Sequence, residues 1–186
     1  MAEKGNYTYE YPRPMVTVNA VIFAITEKSL SVLLIERKHE PYAGCWALPG
    51  GFVEMDERLE PAAQRELEEE TGISGIQLDL VGVFDDPKRD PRGRSIGVAF
   101  LGVILDDLPE PTGGDDAARA AWFRVSELPR LAFDHDLIIV RCLEKISHDA
   151  ACPVRRPAWY NEGILSRVHG ALSSEIQHRE AENCAN

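Results

Sequence analysis

One stretch decides how this chain reads: Gly51–Phe52–Val53–Glu54–Met55–Asp56–Glu57–Arg58–Leu59–Glu60–Pro61–Ala62–Ala63–Gln64–Arg65–Glu66–Leu67–Glu68–Glu69–Glu70–Thr71–Gly72–Ile73. From Glu60 to Thr71 it carries a helix signal. Pro61 suits a first turn, where its missing N–H is harmless, and Gly72 suits the position just past the end. Between Glu54 and Glu70 stand eight carboxylates and two arginines, Arg58 and Arg65, a net charge of −6 in 17 residues. On a helix, Glu66, Glu69 and Glu70 fall within an arc of about 100°. Ala63 and Leu67 mark the side that packs on a core, and Glu68 points away from both groups. Like charges at three- and four-residue spacing repel, so the cluster weakens its own helix unless a cation sits on it.

Three converging carboxylates with no Cys or His among them favour a hard, oxygen-seeking ion, Mg²⁺ first and Mn²⁺ second. The reaction class this implies is metal-assisted attack of water on a phosphoanhydride.

Outward from the acidic helix, Met15 to Ile25 and Ser31 to Arg37 are rich in Val, Ile and Leu. They read as strands joined by a turn at Glu27–Lys28–Ser29. His39 to Pro49 reads as loop. Ile76 to Phe84, Ser95 to Leu105 and Ala121 to Val125 read as further strands, and His135 to His148 as an apolar-faced helix. Charged or Gly/Pro-rich loops fill Asp85 to Arg94 and Pro109 to Asp116. Strands and helices alternate without a regular βαβ rhythm, so the expected class is α/β with a mixed sheet and helices on both faces. A length of 186 residues fits one domain over 15–150, with an extension at 1–14 and a tail at 151–186. In the tail, Ile164, Val168, Leu172 and Ile176 recur every four residues, an apolar stripe on an expected helix.

The net charge of −11 argues against polyanion or anionic-membrane partners, so neither nucleic acid nor membrane is expected. Cys45, Cys142, Cys152 and Cys184 form no CxxC pair. The first residues lack an apolar run of signal-peptide type. Together these suggest a reduced, cytoplasmic chain.

Gly51, Glu57, Arg65–Glu66–Leu67, Glu69–Glu70 and Gly72–Ile73 stand at the spacing of the full Nudix box, and Trp46–Ala47–Leu48–Pro49–Gly50 resembles its usual lead-in strand and turn. Seven fixed letters and two aliphatic positions, at roughly 7% usage each, coincide by chance on the order of 10⁻⁹ per start site. The resemblance implies a Nudix α/β/α sandwich. It also implies that Glu66, Glu69 and Glu70, with the backbone carbonyl of Gly50, hold the metal. Arg65 is then a brace pairing with Glu57 or Glu69, and Glu69 the first choice for orienting or deprotonating the water. A base in this family sometimes lies on a later loop, which makes Asp116, beside Asp115 and after Gly113–Gly114, a second candidate.

Arg89–Asp90–Pro91–Arg92–Gly93–Arg94–Ser95 and Leu131–Ala132–Phe133–Asp134–His135 resemble segments of the ADP-ribose pyrophosphatase branch. Arg92 and Arg94 are candidates for gripping diphosphate or ribose oxygens. Trp46, Phe84 and Phe133 are candidates for stacking an adenine, with core packing as their alternative role. His135 reads as a satisfied, half-buried histidine. Three functions stay open: an ADP-ribose hydrolase giving AMP and ribose 5-phosphate, a nucleoside triphosphate pyrophosphohydrolase, and a non-catalytic ADP-ribose sensor. The tail stripe and the habits of ADP-ribose-type relatives favour a homodimer.

Overall fold

The computed structural model describes residues 9–26, 29–105, 108–114 and 117–151, with Ser166 and Gly170. Among them, the central strand is β1 (Met15–Ile25). It pairs in parallel along its whole length with β6 (Ser95–Leu105). On its other side β1 is shared. Its first half pairs with β4 (Gly50–Phe52) through Thr17↔Phe52, Val18↔Gly51 and Asn19↔Gly50. Its last residues pair with β2 (Leu30–Arg37). β2 in turn pairs antiparallel with β3 (Trp46–Ala47) and with β7 (Ala117–Arg124). β5 (Asp79–Phe84) pairs antiparallel with the far side of β6. The sheet is thus mixed, as expected.

Among the described residues two helices cover it. Alternate residues of β1 point to opposite faces, so one strand feeds two cores. Val18, Ala20 and Ile22 pack with Leu33 against Ala62, Ala63 and Leu67 of α1 (Leu59–Thr71). Val21, Phe23 and Ile25 pack against Ile138, Ile139, Cys142 and Ile146 of α2 (His135–Ala151). That double burial is why the strand is an unbroken apolar run rather than an alternating one.

Several boundaries differ from expectation. α1 starts at Leu59, with Pro61 inside its first turn; Gly72 closes it at φ 69°, donating its N–H to the Glu68 carbonyl. The segment His39 to Pro49 is not all loop, since β3 lies within it. β5 starts at Asp79 rather than Ile76, although Ile76 and Leu78 still reach the α1-side core. β7 starts at Ala117 and ends at Arg124, and Val125–Glu127 turns into a 3₁₀ segment. Its first residues, Ala117–Ala118–Arg119–Ala120, have little intrinsic strand preference and are strand because β2 offers them a ladder. Asp115, Asp116 and the tail stripe lie outside the described residues. Among the described residues no helix is long and apolar enough to cross a membrane.

Candidate functional site

β4 and α1 build the site together. Pairing with β1 fixes Gly50–Gly51–Phe52 against the N-terminal half of the central strand. The Gly50 N–H donates to Glu70 Oε2 at 2.9 Å, so the last turn of α1 is tied to the strand before it. Glycine is required at Gly50, where a side chain would strike backbone, whereas at Gly51 it leaves room for the Glu66 carboxylate. A Cβ on Gly50 would stand 2.1 Å from the Val18 carbonyl oxygen, and one on Gly51 would stand 2.4 Å from Glu66 Oε1. The Glu66 carboxylate therefore rests on the bare backbone of Gly51.

Arg65 is the hub of the charges. Its Nε and Nη2 donate to the two Glu57 oxygens at 2.9 Å each. Its Nη1 donates to Glu66 at 2.8 Å and Glu69 at 3.1 Å, and Nη2 also reaches the Phe52 carbonyl at 3.3 Å. The expected pairing of Arg65 with Glu57 or Glu69 thus takes in both, and Glu66 besides. The Arg65 hydrogen bond holds the Glu57 carboxyl below its ordinary value. At Glu66 burial dominates and raises the pKa against the opposing pull of Arg65, with Glu69 and Glu57 adding to the rise. Hydrogen bonding to Glu57 leads the causes that raise Arg65 itself. Glu70 is buried, and Glu69 is the most exposed of the cluster, with 59% of its side chain accessible.

One guanidinium faces Glu57, Glu66 and Glu69, and Glu70 adds a fourth carboxylate, so negative charge is in excess. The donors are all oxygen and all hard, which suits Mg²⁺ or Mn²⁺. The Gly51 surface under Glu66 is the kind of close cradle such a site needs. In the conformation seen, Glu66 and Glu69 turn to Arg65 and Glu70 turns to the Gly50 N–H. Among the described residues no three acidic, His or Cys side chains converge closely enough to grip an ion. The donor chemistry fits the metal, and gripping one requires these carboxylates to turn from their present partners.

Beside the box lies a cluster of arginines and aromatic rings. Arg92 makes a bidentate pair with Asp90, with contacts of 2.7–3.2 Å. Burial pushes Asp90 up, but its hydrogen bonds from Arg92 outweigh this and leave it below its ordinary value. The Arg92 guanidinium stands 5.1 Å from the Phe52 ring and 5.5 Å from the Phe133 ring. Arg37 stands 5.0 Å from the same Phe133 ring. Of the other candidates, Arg94 donates to the backbone carbonyls of Asp85 and Ser95 and props the base of its own loop. Trp46 packs edge-on against Phe123 at 4.5 Å beneath Arg119. Phe84 packs on the α2-side core and lines a cavity of 490 Å³ between β5 and α2, across the sheet from α1. The structure therefore brings Phe133 and Arg92 to the box, and leaves Trp46 and Phe84 in packing roles.

Three residues were not singled out from the sequence. Buried Arg89 makes a bidentate pair with Asp134, at 2.9 and 2.7 Å, with its guanidinium lying flat on Gly97. Arg37 is the third. Only the arginine-rich loop hinted at the first, and nothing local marks a pairing 45 residues apart. His135 is more buried than expected. Its Nδ1 accepts the Leu48 N–H at 2.9 Å, and burial lowers its pKa to about 3, so the ring is neutral.

The NUDIX domain model matches residues 14–142. The chain belongs to the Nudix family. An ADP-ribose pyrophosphatase of Methanocaldococcus jannaschii is 48% identical over 130 residues, covering 69% of this chain and 73% of that protein. An ADPR responsive transcriptional repressor, NtrR, of Acinetobacter baylyi is 43% identical over 75% of this chain, which spans little more than half (57%) of the repressor. The NUDIX domain of Shewanella oneidensis NrtR, solved with ADP ribose, superposes with a TM-score of 0.69 at 28% identity over 76% of this chain and 94% of that one. The same NrtR solved with a 27mer DNA matches at TM-score 0.64 and 25% identity, over 91% of this chain and 83% of that one. This corrects the expectation that nucleic acid is excluded. Net charge summed over a whole chain does not describe the local surface a DNA-binding relative uses.

Proposed function

We propose that this Nudix protein hydrolyses ADP-ribose to AMP and ribose 5-phosphate with the help of Mg²⁺ or Mn²⁺. The observation that carries the reading is the full set of box carboxylates, Glu57, Glu66, Glu69 and Glu70, gathered around Arg65 and the β4 backbone. The 48% identity to an ADP-ribose pyrophosphatase supports the substrate.

Glu66, Glu69 and Glu70, with the Gly50 carbonyl, would hold the ion. When bound, it supplies charge neutralisation to the diphosphate and acidifies a bound water. The chain's own residues do the rest. Arg65 keeps Glu57, Glu66 and Glu69 within one hydrogen-bonded set while they are ionised. The Gly50 N–H fixes Glu70 against the strand. Exposed Glu69 is free to reach water, which suits it to orient the attacking molecule at its carboxylate oxygens.

A second reading is favoured by the ADP-ribose-responsive relatives: binding without turnover. One assay separates them. ADP-ribose, NADH, diadenosine polyphosphates and nucleoside triphosphates are incubated with Mg²⁺ or Mn²⁺, and products are counted. ADP-ribose turnover that EDTA abolishes and Mg²⁺ restores supports the hydrolase, whereas EDTA-resistant turnover overturns the metal's part in it. Binding of ADP-ribose with no product identifies the sensor. Glu66→Gln and Glu69→Gln are expected to lower kcat at least ~10²-fold with the fold kept, and exposed Glu68→Gln to be nearly silent.

A further inference from the structure

The connection from β3 to β4 is short, and its backbone is anchored on three different elements. The Pro49 carbonyl accepts the Ala20 N–H of β1 at 2.8 Å. The Gly50 N–H goes to Glu70 of α1. The Leu48 N–H goes to Nδ1 of His135, the first residue of α2, at 2.9 Å. β3 ends at Ala47 and β4 begins at Gly50, so the strand ladder is interrupted at Leu48. Leu48 and His135 are both buried, and a buried N–H without a partner is costly. The ring supplies the acceptor that a neighbouring strand would otherwise give. An apolar side chain of the same size would fill the space without making this bond.

The ring is itself held in place. The Trp46 N–H donates to the Arg130 carbonyl at 3.1 Å, and the Ala132 N–H to the Trp46 carbonyl at 2.8 Å, so the chain leading into α2 runs beside β3. Asp134 takes the fork of Arg89. Phe133, between these two anchors, keeps a left-handed backbone at φ 55°. A bulky residue holds that conformation only where its surroundings impose it. Constraints on both sides of Phe133 thus set where His135 stands.

We propose that His135 is a positioning residue of the box: through the Leu48 N–H it fixes the turn that carries Gly50, whose N–H meets Glu70 and whose carbonyl faces the role of metal ligand. Only Pro49 separates Leu48 from Gly50, so a shift at the first moves the second. Groups that orient metal ligands from behind are worth about 10–100-fold in metal affinity or activity. This role rests on the metal-dependent hydrolase reading above, and it gives α2 a part in that site which neither the charge pattern nor the box suggests.

The test measures Mn²⁺ affinity of the full chain by electron paramagnetic resonance without substrate, then kcat and KM for ADP-ribose at saturating Mn²⁺. His135→Leu keeps bulk and loses the acceptor. It is expected to weaken Mn²⁺ binding and to lower kcat, each about 10-fold, with KM within twofold of wild type. His135→Asn places its Oδ1 where Nδ1 stands and should bind Mn²⁺ within twofold of wild type. Equal losses of Mn²⁺ affinity in the two variants overturn the proposal, because the acceptor would then not be what matters. Mn²⁺ affinity within twofold of wild type in His135→Leu overturns it as well. A raised KM with kcat and Mn²⁺ affinity unchanged would place the effect of the ring at Phe133, again overturning it. A wild-type chain that binds Mn²⁺ but hydrolyses nothing refutes the hydrolase reading, and the Mn²⁺ affinities alone then decide the positioning role. A wild-type chain that binds no Mn²⁺ overturns that role. Should His135→Leu fail to fold, His135→Gln decides, since its longer arm carries the acceptor away from the Nδ1 position: a several-fold loss of Mn²⁺ affinity supports the proposal, and unchanged affinity overturns it.

Discussion

Gly51 shows how little space the box leaves to a side chain. The atom its Cβ would strike is the far end of Glu66, which can swing away, so Gly51→Ala should cost little stability. It should instead displace the Glu66 carboxylate. The expected outcome is a melting temperature within a few degrees of wild type and kcat lower by at least ~10-fold. A variant of full activity would show that Glu66 does not need its seat on Gly51. Gly114 is the opposite case, because its Cβ would meet the backbone carbonyl of Glu69 at 1.8 Å. Backbone cannot swing, so Gly114→Ala must push the 108–114 loop off the end of α1. It is expected to lower the unfolding free energy by about 1–3 kcal/mol of overpacking, read from urea titrations. Both glycines stand in the sequence, but only Gly51 is marked by a motif; what Gly114 touches is a matter of tertiary approach.

Between elements, the Arg89–Asp134 pair straps the loop after β5 to the entry of α2. Both groups are largely buried, with side chains 5% and 19% accessible. Removing one partner strands the other, so Arg89→Ala is expected to cost about 3–5 kcal/mol in urea unfolding. Asp134→Asn should cost less, since an amide still accepts. Equal, negligible losses would mean that the loop is held by its other contacts. The sequence reveals elements unevenly for related reasons. β1, β2, β6 and α1 are legible because each has its own periodicity or an unbroken apolar run. β3 and β4 are two and three residues long, and β4 opens with Gly50–Gly51, which has no strand preference. They are strands because β2 and β1 lend them ladders. The carboxylate helix was legible for its charge spacing, whereas Arg37 was not, since a strand-end arginine reads as solvated until Phe133 and Arg92 are brought beside it.

Across the whole molecule, the α2 layer is joined to the β4 turn through one buried ring. His135 opens α2, and its Nδ1 accepts the N–H of Leu48, two residues before the Gly50 that anchors Glu70. That bond requires an unprotonated Nδ1, and burial lowers the folded pKa from an ordinary 6.5 to about 3. The unfolded chain takes up a proton as pH falls through 6.5, while the folded chain does not until about 3. The contribution of the neutral ring to stability is therefore complete above pH 6.5 and is lost as pH falls toward 3, at up to about 1.4 kcal/mol per unit. Urea midpoints measured between pH 5 and 7 isolate this effect, because ordinary carboxylates titrate mostly lower. Wild type is expected to weaken steadily below pH 6.5. His135→Asn presents an amide oxygen in place of Nδ1 and cannot titrate, so its midpoint should be flatter over the same range. A His135→Asn profile parallel to wild type would mean that other groups carry the pH dependence.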